Sequence, residues 1–175
     1  SVNYLRKQLI DYFGNGEAWG WQIEYSDGPI EWDTGKRIWE AKELYDDSFI
    51  LMYSDNFATF SLDKVFSIHK NNNKPLTFMV SKKSPGNVKL YDSGIVRKYD
   101  NQRSSNFLDY VEIGYMIVEN ERTMSFYESA DCSFSKILKK MSDQEEINSY
   151  IHNDSYYSIS DPSRWKKTEK YLSQN

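Results

Sequence analysis

Two short apolar segments flank an amphipathic stretch between residues 49 and 80, and this order limits the fold more than any other feature. Residues 49–53 form an uninterrupted apolar run, which is typical of a strand covered on both faces. The spacing of apolar residues predicts a helix over 61–70 and a second strand over 76–80. A strand, a helix and a strand in succession predict an α/β domain with a mixed, mainly parallel sheet.

The rest of the chain predicts further helices and strands that fit a single domain over residues 1–175. A helix over 34–44 has Thr34 as its predicted N-cap, and a final helix begins at Pro162 with Asp161 as its N-cap. The other predicted helices cover 4–13 and 133–141, the strands cover 19–25, 110–118 and 147–151, and a hairpin covers 88–99 with its turn at 92–94. Because the first predicted element is a helix, we expect an upstream strand to be missing.

Charge and cysteine content exclude several classes of protein. The formal net charge is -4 and no run of Lys or Arg exceeds two residues, which argues against a nucleic-acid partner. One cysteine, Cys132, excludes an intrachain disulfide. No apolar stretch approaches the length of a membrane span. We therefore expect a soluble cytoplasmic protein that binds neither nucleic acid nor membrane.

Candidate ligand-binding residues follow the apolar run at 49–53. In an open α/β sheet, ligands bind beyond the carboxyl ends of the strands, and this position is held by Ser54, Asp55 and Asn56. The Asp55 carboxylate is an oxygen ligand of the kind that Mg²⁺ prefers. The alternative is that Asp55 and Asn56 only form the turn after the strand.

Residues 33–38 and 49–56 resemble the sugar-1-phosphate nucleotidyltransferases, in particular the glucose-1-phosphate cytidylyltransferase and heptose-1-phosphate guanylyltransferase branches. The resemblance continues in order through 62–70, 86–88, 111–115 and 159–164. It implies a Rossmann-like three-layer α/β/α fold. It also implies transfer of a nucleotidyl group from a nucleoside triphosphate to a sugar 1-phosphate, with Mg²⁺ as cofactor and pyrophosphate as the second product.

The resemblance assigns a role to ten residues. Asp55 would be the catalytic magnesium ligand with Asp161 as a second ligand; the nucleotide would contact Thr34, Gly35, Lys36 and Arg37; the sugar would contact Asp100, Arg103, Glu112 and Gly114. Alternatives remain for several of them. Asp161 is well suited to cap the helix at Pro162, Glu112 could be a solvent-facing strand residue, and Lys36 and Arg37 could lie on a solvated helix face.

Two differences from that family open a second functional hypothesis. Its glycine-rich loop, G-G-x-G-T-R, is not found in these 175 residues, so we expect the first βα unit to be missing. Ser158 also stands where the family often has its second metal-binding Asp. The alternative to an enzyme is a non-catalytic module that binds a sugar phosphate or a nucleotide sugar. Association into a homo-oligomer is a further expectation, since a missing central unit would expose apolar surface.

Overall fold

The computed structural model describes residues 1–2 and 4–174. Its helices are α1 (Arg6–Phe13), α2 (Thr34–Glu40), α3 (Leu62–Asn72), α4 (Asn120–Met124), α5 (Phe134–Asp143) and α6 (Pro162–Leu172). Its strands are β1 (Ser48–Met52), β2 (Asn56–Ala58), β3 (Leu76–Lys82), β4 (Val88–Leu90), β5 (Val96–Tyr99), β6 (Tyr110–Glu119), β7 (Ile147–Ile151) and β8 (Tyr156–Ser158). None of the described helices is long and apolar enough to cross a membrane.

The main sheet is mixed, as the sequence predicts. Its order is β5-β4-β6-β3-β7, and β1 pairs with β6 beside β4. Strands β1, β3, β4 and β7 share one direction, because β1, β3 and β4 are each antiparallel to β6 and β7 is parallel to β3. Within the described residues, however, β3 and β7 are the only neighbouring strands that are parallel. The long strand β6 therefore organises the sheet through antiparallel pairs.

Strand β1 is less enclosed than its apolar sequence suggests. It pairs with β6 alone among the described strands, and its residues alternate between exposed and half-buried. Phe49 and Leu51 pack on the core, whereas Ile50 and Met52 are 39% and 61% exposed. The prediction of a strand buried on both faces was wrong, since an apolar run does not reveal how many neighbouring strands it has.

Helices cover both faces of the sheet and give the predicted three layers. On one face, α5 buries the residues that its 3.6-residue period predicts, Phe134, Ile137, Leu138 and Met141. They join Ile38 of α2 and the β3 side chains Phe78 and Val80 in one core. On the other face, Val65 of α3 packs with Met79, Ile113 and Ile117. Successive residues of β3 thus enter opposite cores, as the two-residue period of a strand requires.

The segment before α2 differs from its predicted structure. Helix α1 forms, but none of its residues is buried. The predicted strand over 19–25 is wrong: Glu17–Trp19 is a 3₁₀ turn, and the residues after it form no strand. Trp19 and Trp21 are exposed and stack on each other with ring centroids 6.3 Å apart. Their alternation in sequence reflects contacts between aromatic rings and not one face of a sheet.

A second, two-stranded sheet lies next to the end of β1, and the sequence did not predict it. Strands β2 and β8 pair antiparallel, with Asn56 opposite Ser158. Each strand has three residues, which is too short to show a periodic pattern. This small sheet brings the start of α6 close to the turn after β1, where the backbone N–H of Ile159 donates to the carbonyl of Asp55 at 2.8 Å.

Asp33 joins two helix starts on one side of the sheet. It is the N-cap of α2, one residue before the predicted cap Thr34, and its Oδ1 accepts from the N–H of Gly35 at 2.9 Å. The same oxygen accepts from the N–H of Phe134, the first residue of α5, at 3.1 Å. Gly35 allows this approach, because a Cβ there would lie 2.1 Å from the carbonyl oxygen of Cys132.

Replacing Asp33 with Ala should destabilise the fold because two backbone N–H groups lose their acceptor. We expect Asp33→Ala to lower the free energy of unfolding by about 1–3 kcal/mol, measured by urea denaturation. Asp33→Asn keeps the Oδ1 acceptor and is expected to lose less than half as much. Equal losses in the two variants, or none in Asp33→Ala, would show that the bridge between α2 and α5 contributes little.

Candidate active site

A gap in the main sheet marks the candidate site. Strands β1 and β4 pair with the same edge of β6, but β4 pairs with Tyr110 of β6, whereas β1 pairs only with Tyr115 and the residues after it. Residues 111–114 lie between them. At the edges of this gap, β6 is held by two hydrogen bonds: the N–H of Glu112 donates to Oδ1 of Asn87 at 3.0 Å, and the N–H of Tyr53 donates to the carbonyl of Gly114 at 2.8 Å. Strands that separate in this way leave room for a ligand at the end of the sheet.

Gly114 is needed where the gap meets the turn after β1. Its φ is +84°, and a Cβ at this position would lie 2.8 Å from Nδ2 of Asn56 and 2.9 Å from Cβ of Tyr53. Nδ2 of Asn56 donates to the carbonyl of Ile113 at 3.2 Å. These contacts give Gly114 a structural role. Its predicted contact with a sugar stays a prediction.

Asp55 presents a free carboxylate at this gap. The residue is exposed, and its side chain has no hydrogen bond or ion pair within the described part of the chain. Burial is the largest cause of the raised pKa of Glu112 and of Tyr53, and the charge of Asp55 adds to both shifts. The described residues form no cluster of three metal-binding side chains. Asp55 therefore fits Mg²⁺ as a single protein ligand, with phosphate oxygens and water completing the coordination.

Two of the four predicted nucleotide-binding residues share a cavity with Asp55. This cavity has a volume of about 440 Å³, and Thr34, Arg37 and Tyr53 are among the residues that line it. The Arg37 side chain is held in place, because Nε donates to the carbonyl of Trp32 at 3.1 Å and Nη2 donates to another loop carbonyl at 2.7 Å. A fixed guanidinium beside a free carboxylate suits a ligand that carries phosphate groups.

The other two predicted nucleotide-binding residues face α5. Gly35 is buried against the backbone of residues 132–134. Lys36 forms an ion pair with Asp131, with Nζ and Oδ1 2.5 Å apart. Neither residue lines the cavity beside Asp55. The structure thus separates the predicted group of four into two pairs with different surroundings.

Glu112 lies inside the gap and not on a solvated strand face. Its side chain is partly buried and folds back so that Oε1 accepts from the N–H of Gly114. Burial raises the pKa of Glu112 to about 7; the Gly114 hydrogen bond opposes this rise, and the charge of Asp55 adds to it. Burial first, and then the charge of Glu112, raises the pKa of the Tyr53 and Tyr99 phenols. Glu112, Tyr53 and Tyr99 therefore hold their protons more strongly in the gap than they would in water.

The loop after β5 gives Asp100 and Arg103, both predicted to contact the sugar, different surroundings. The Asp100 carboxylate accepts from the backbone N–H of Gln102 at 3.0 Å and of Ser104 at 3.1 Å. The Ser104 hydroxyl is the main reason that the pKa of Asp100 is lowered. Arg103 is exposed, with φ of 54°. Its charge opposes the rise in the pKa of Tyr99 that burial and the charge of Glu112 cause. Asp100 thus shapes its own loop, and Arg103 is the member of the pair free to approach a ligand.

Asp161 is a helix cap, which was the alternative to its predicted metal-binding role. Its Oδ1 accepts from the backbone N–H of Ser163 and of Arg164, both at 2.9 Å. Nε of Arg164 lies 3.1 Å from Oδ2. The hydrogen bond donated by the Ser163 hydroxyl is the largest cause of the lowered pKa of Asp161. Both oxygens are engaged, so the geometry favours the cap.

Asn87 is a site residue that sequence reasoning did not single out. It is buried, with 6% exposure, and Oδ1 accepts from Glu112 while its N–H donates to the carbonyl of Tyr110 at 2.8 Å. It thereby ties the segment before β4 to β6 at one edge of the gap. A buried carboxamide just before a short strand is a recognisable signal only once the strand pairing is known.

Comparisons with known proteins identify the fold. No family model matches the chain, and neither does any curated protein sequence. A solved structure described as a glucose-1-phosphate thymidylyltransferase from Bacillus anthracis, in complex with a sucrose, is similar with a TM-score of 0.80 and 7% identity over 95% of this chain and 71% of that one. HddC from Yersinia pseudotuberculosis is similar with a TM-score of 0.72 and 14% identity, over 96% of this chain and 75% of that one. The structure of HddC complexed with GMP-PN is similar with a TM-score of 0.73 and 14% identity, over 98% of this chain and 76% of that one. At these identities the likeness shows a shared Rossmann-like α/β fold.

The raised pKa of Glu112 predicts a pH dependence of stability. Between its ordinary value of 4.5 and about 7, folded Glu112 keeps a proton that the unfolded chain releases, so its contribution to stability falls as the pH rises through this window. Glu112→Gln keeps the acceptor for Gly114 but cannot ionise. From pH 5 to pH 8 we expect the variant to gain about 1–3 kcal/mol relative to the wild type.

Urea denaturation at the two pH values measures this gain. Glu31→Gln is the matched control, since Glu31 is exposed and the change removes the same charge. A difference between Glu112→Gln and the wild type that does not change with pH would contradict the assignment of a protonated Glu112 to the folded state.

Proposed function

We propose that this chain binds a nucleoside triphosphate and a sugar 1-phosphate at the gap between β1 and β4 and transfers the nucleotidyl group between them. The observation that carries the proposal is the free carboxylate of Asp55, which shares a cavity with Thr34 and Arg37 at the end of β1. This is where α/β sheets bind their ligands. The fold shared with a thymidylyltransferase and with a protein solved with GMP-PN supports the same class of chemistry.

The proposed reaction needs positioning more than covalent chemistry. A phosphate oxygen of the sugar 1-phosphate attacks the α-phosphorus of the triphosphate, a new P–O bond forms, and the bond to pyrophosphate breaks. Asp55 would hold Mg²⁺, which would neutralise phosphate charge when bound. Arg37 and the hydroxyl of Thr34 would orient the triphosphate from the opposite wall of the cavity.

The polar groups in the gap would orient the sugar. Glu112 uses Oε1 for the N–H of Gly114, and Asn87 uses Oδ1 for the N–H of Glu112. Oε2 of Glu112 and Nδ2 of Asn87 make no hydrogen bond within the described residues, and both are suited to sugar hydroxyls. A partly protonated Glu112 would also reduce repulsion of the sugar phosphate at neutral pH.

One observation favours the alternative of binding without turnover. Among the described residues that line the cavity beside Asp55, Arg37 has the only cationic side chain. Its guanidinium already donates to the carbonyls of Trp32 and Pro29. A triphosphate reacting in such a cavity would have little charge neutralisation from the protein itself. A module that only holds a nucleotide sugar would need less charge neutralisation from the protein.

Pyrophosphate release tests the enzymatic proposal. We expect Mg²⁺-dependent release with at least one common nucleoside triphosphate when a panel of hexose 1-phosphates is supplied. Asp55→Ala should reduce the rate about 100-fold, since metal positioning contributes several kcal/mol to such reactions. Asp92→Ala, a change of an exposed Asp in the β4–β5 turn, should leave the rate unchanged.

Calorimetric titration with Mg²⁺ and each nucleotide separates the two functions. Binding that Asp55→Ala weakens, without release from any substrate pair, would establish the non-catalytic module. Release that survives Asp55→Ala would refute the assigned metal ligand. Neither binding nor release with any nucleotide or nucleotide sugar would overturn both proposals.

A further inference from the structure

A second polar cavity lies beside the small sheet and is lined by cations. It has a volume of about 150 Å³ and lies between β8, α6 and the residue that follows β3. Its cations are Lys83, Arg164 and Lys167, and we refer to it as the basic cavity. It shares no lining residue with the cavity beside Asp55. The site described above therefore does not account for it.

The positive charge in the basic cavity is poorly compensated. Lys83 and Lys167 are exposed, and neither forms an ion pair within residues 1–2 and 4–174. Arg164 pairs with Asp161 through Nε, at 3.1 Å. No acidic residue lines the cavity in the described part of the chain. Three cations facing one small space repel each other, and a bound anion would relieve that repulsion.

The walls of the basic cavity are held in place by packing and hydrogen bonds. Thr168 is 3% exposed and its hydroxyl contacts the carbonyls of Ser158 and Arg164, at 3.2 and 3.0 Å, which fixes α6 on β8. Tyr157 stacks on Tyr171 with centroids 4.4 Å apart. The backbone N–H of Lys83 donates to the carbonyl of Asp109 at 2.9 Å. The charged side chains therefore extend from fixed backbone positions.

The wall also offers hydrogen-bond donors besides the cations. Tyr156 and Tyr157 line the cavity and are both partly exposed. Neither phenol hydroxyl has a hydrogen-bond partner among the described residues. Clustered Lys and Arg side chains together with hydroxyl donors match the several oxygens of a phosphoryl group better than a single carboxylate.

We propose that the basic cavity binds one phosphoryl group. Its volume fits a single tetrahedral anion, and the net charge of -4 on the chain opposes a polyanion such as nucleic acid. This proposal does not depend on nucleotidyl transfer. The phosphoryl group belongs either to free phosphate or to a phosphorylated ligand that also approaches Asp55. The second source is open to the site because β8 lies next to Asp55: Ser158 pairs with Asn56, and the N–H of Ile159 donates to the Asp55 carbonyl.

Titration with inorganic phosphate at low ionic strength tests the proposal, with binding followed by calorimetry or NMR. We expect wild-type binding in the range of about 1 mM and a rise in Kd of about tenfold in K83Q/K167Q. K82Q/K166Q is the matched control: it removes two charges from the adjacent residues, which are exposed and do not line the cavity. Its Kd should stay within twofold of the wild type.

K83R/K167R keeps both charges and should bind phosphate like the wild type, which separates loss of charge from loss of folding. Equal weakening in K83Q/K167Q and K82Q/K166Q would overturn the proposal. Absence of wild-type binding at a phosphate concentration of about 10 mM would overturn it as well.

Glucose 1-phosphate, titrated in parallel, distinguishes the two sources of the phosphoryl group. Tighter binding than inorganic phosphate, weakened by both K83Q/K167Q and Asp55→Ala, would identify a ligand that spans both sites. Equal binding of the two anions, unaffected by Asp55→Ala, would identify a separate phosphate site that stands even if nucleotidyl transfer is disproved.

Discussion

The left-handed backbone of Gly114 is the constraint on which the candidate site depends. In this conformation its N–H meets the Glu112 carboxyl and its carbonyl meets the N–H of Tyr53. No side chain fits there, because Tyr53 and Asn56 lie against the position of a Cβ. One residue thus ends the pairing of β1 with β6, folds Glu112 back into the gap, and seats the turn that presents Asp55. A side chain at this point would disturb all three at once.

The facing wall of the cavity depends on a separate contact. Asp33 caps α2 and also binds the first N–H of α5, so the helix that carries Thr34 and Arg37 is tied to the core under α5. Ile38, one residue beyond Arg37, is buried in that same core. Arg37 and the turn that presents Asp55 are therefore positioned by separate hydrogen bonds and packing contacts. Both groups are thus held by the surrounding fold, as a phosphate-binding site requires.

The sequence predicted those elements whose evidence is local. The spacing in α5, the turn at residues 92–94 and the cap at Asp161 depend on residues within one or two turns of chain, and the structure confirms each. Strand pairing is not local: residues 49–53 cannot show that β6 is their one neighbour among the described strands. Asn87 and the basic cavity depend on such pairing, since β3, β8 and α6 meet only in the folded chain. The resemblance pointed to Asp55 but could not show that Gly35 and Lys36 face α5.

Two cavities of different charge lie beside the small β2–β8 sheet, and this difference affects how a phosphorylated ligand could bind. On the side of Asp55 and Glu112, a phosphate meets two carboxyl groups, and a metal ion or a proton on Glu112 would reduce their repulsion. Glu112, with a pKa of about 7, supplies the proton in part of the molecules at neutral pH. On the side of Lys83 and Lys167, the protein neutralises the phosphate directly. Since β8 joins the two sides through the pairs of Ser158 and Ile159, a ligand with its phosphate in the basic cavity would be oriented toward Asp55 before any metal ion is bound.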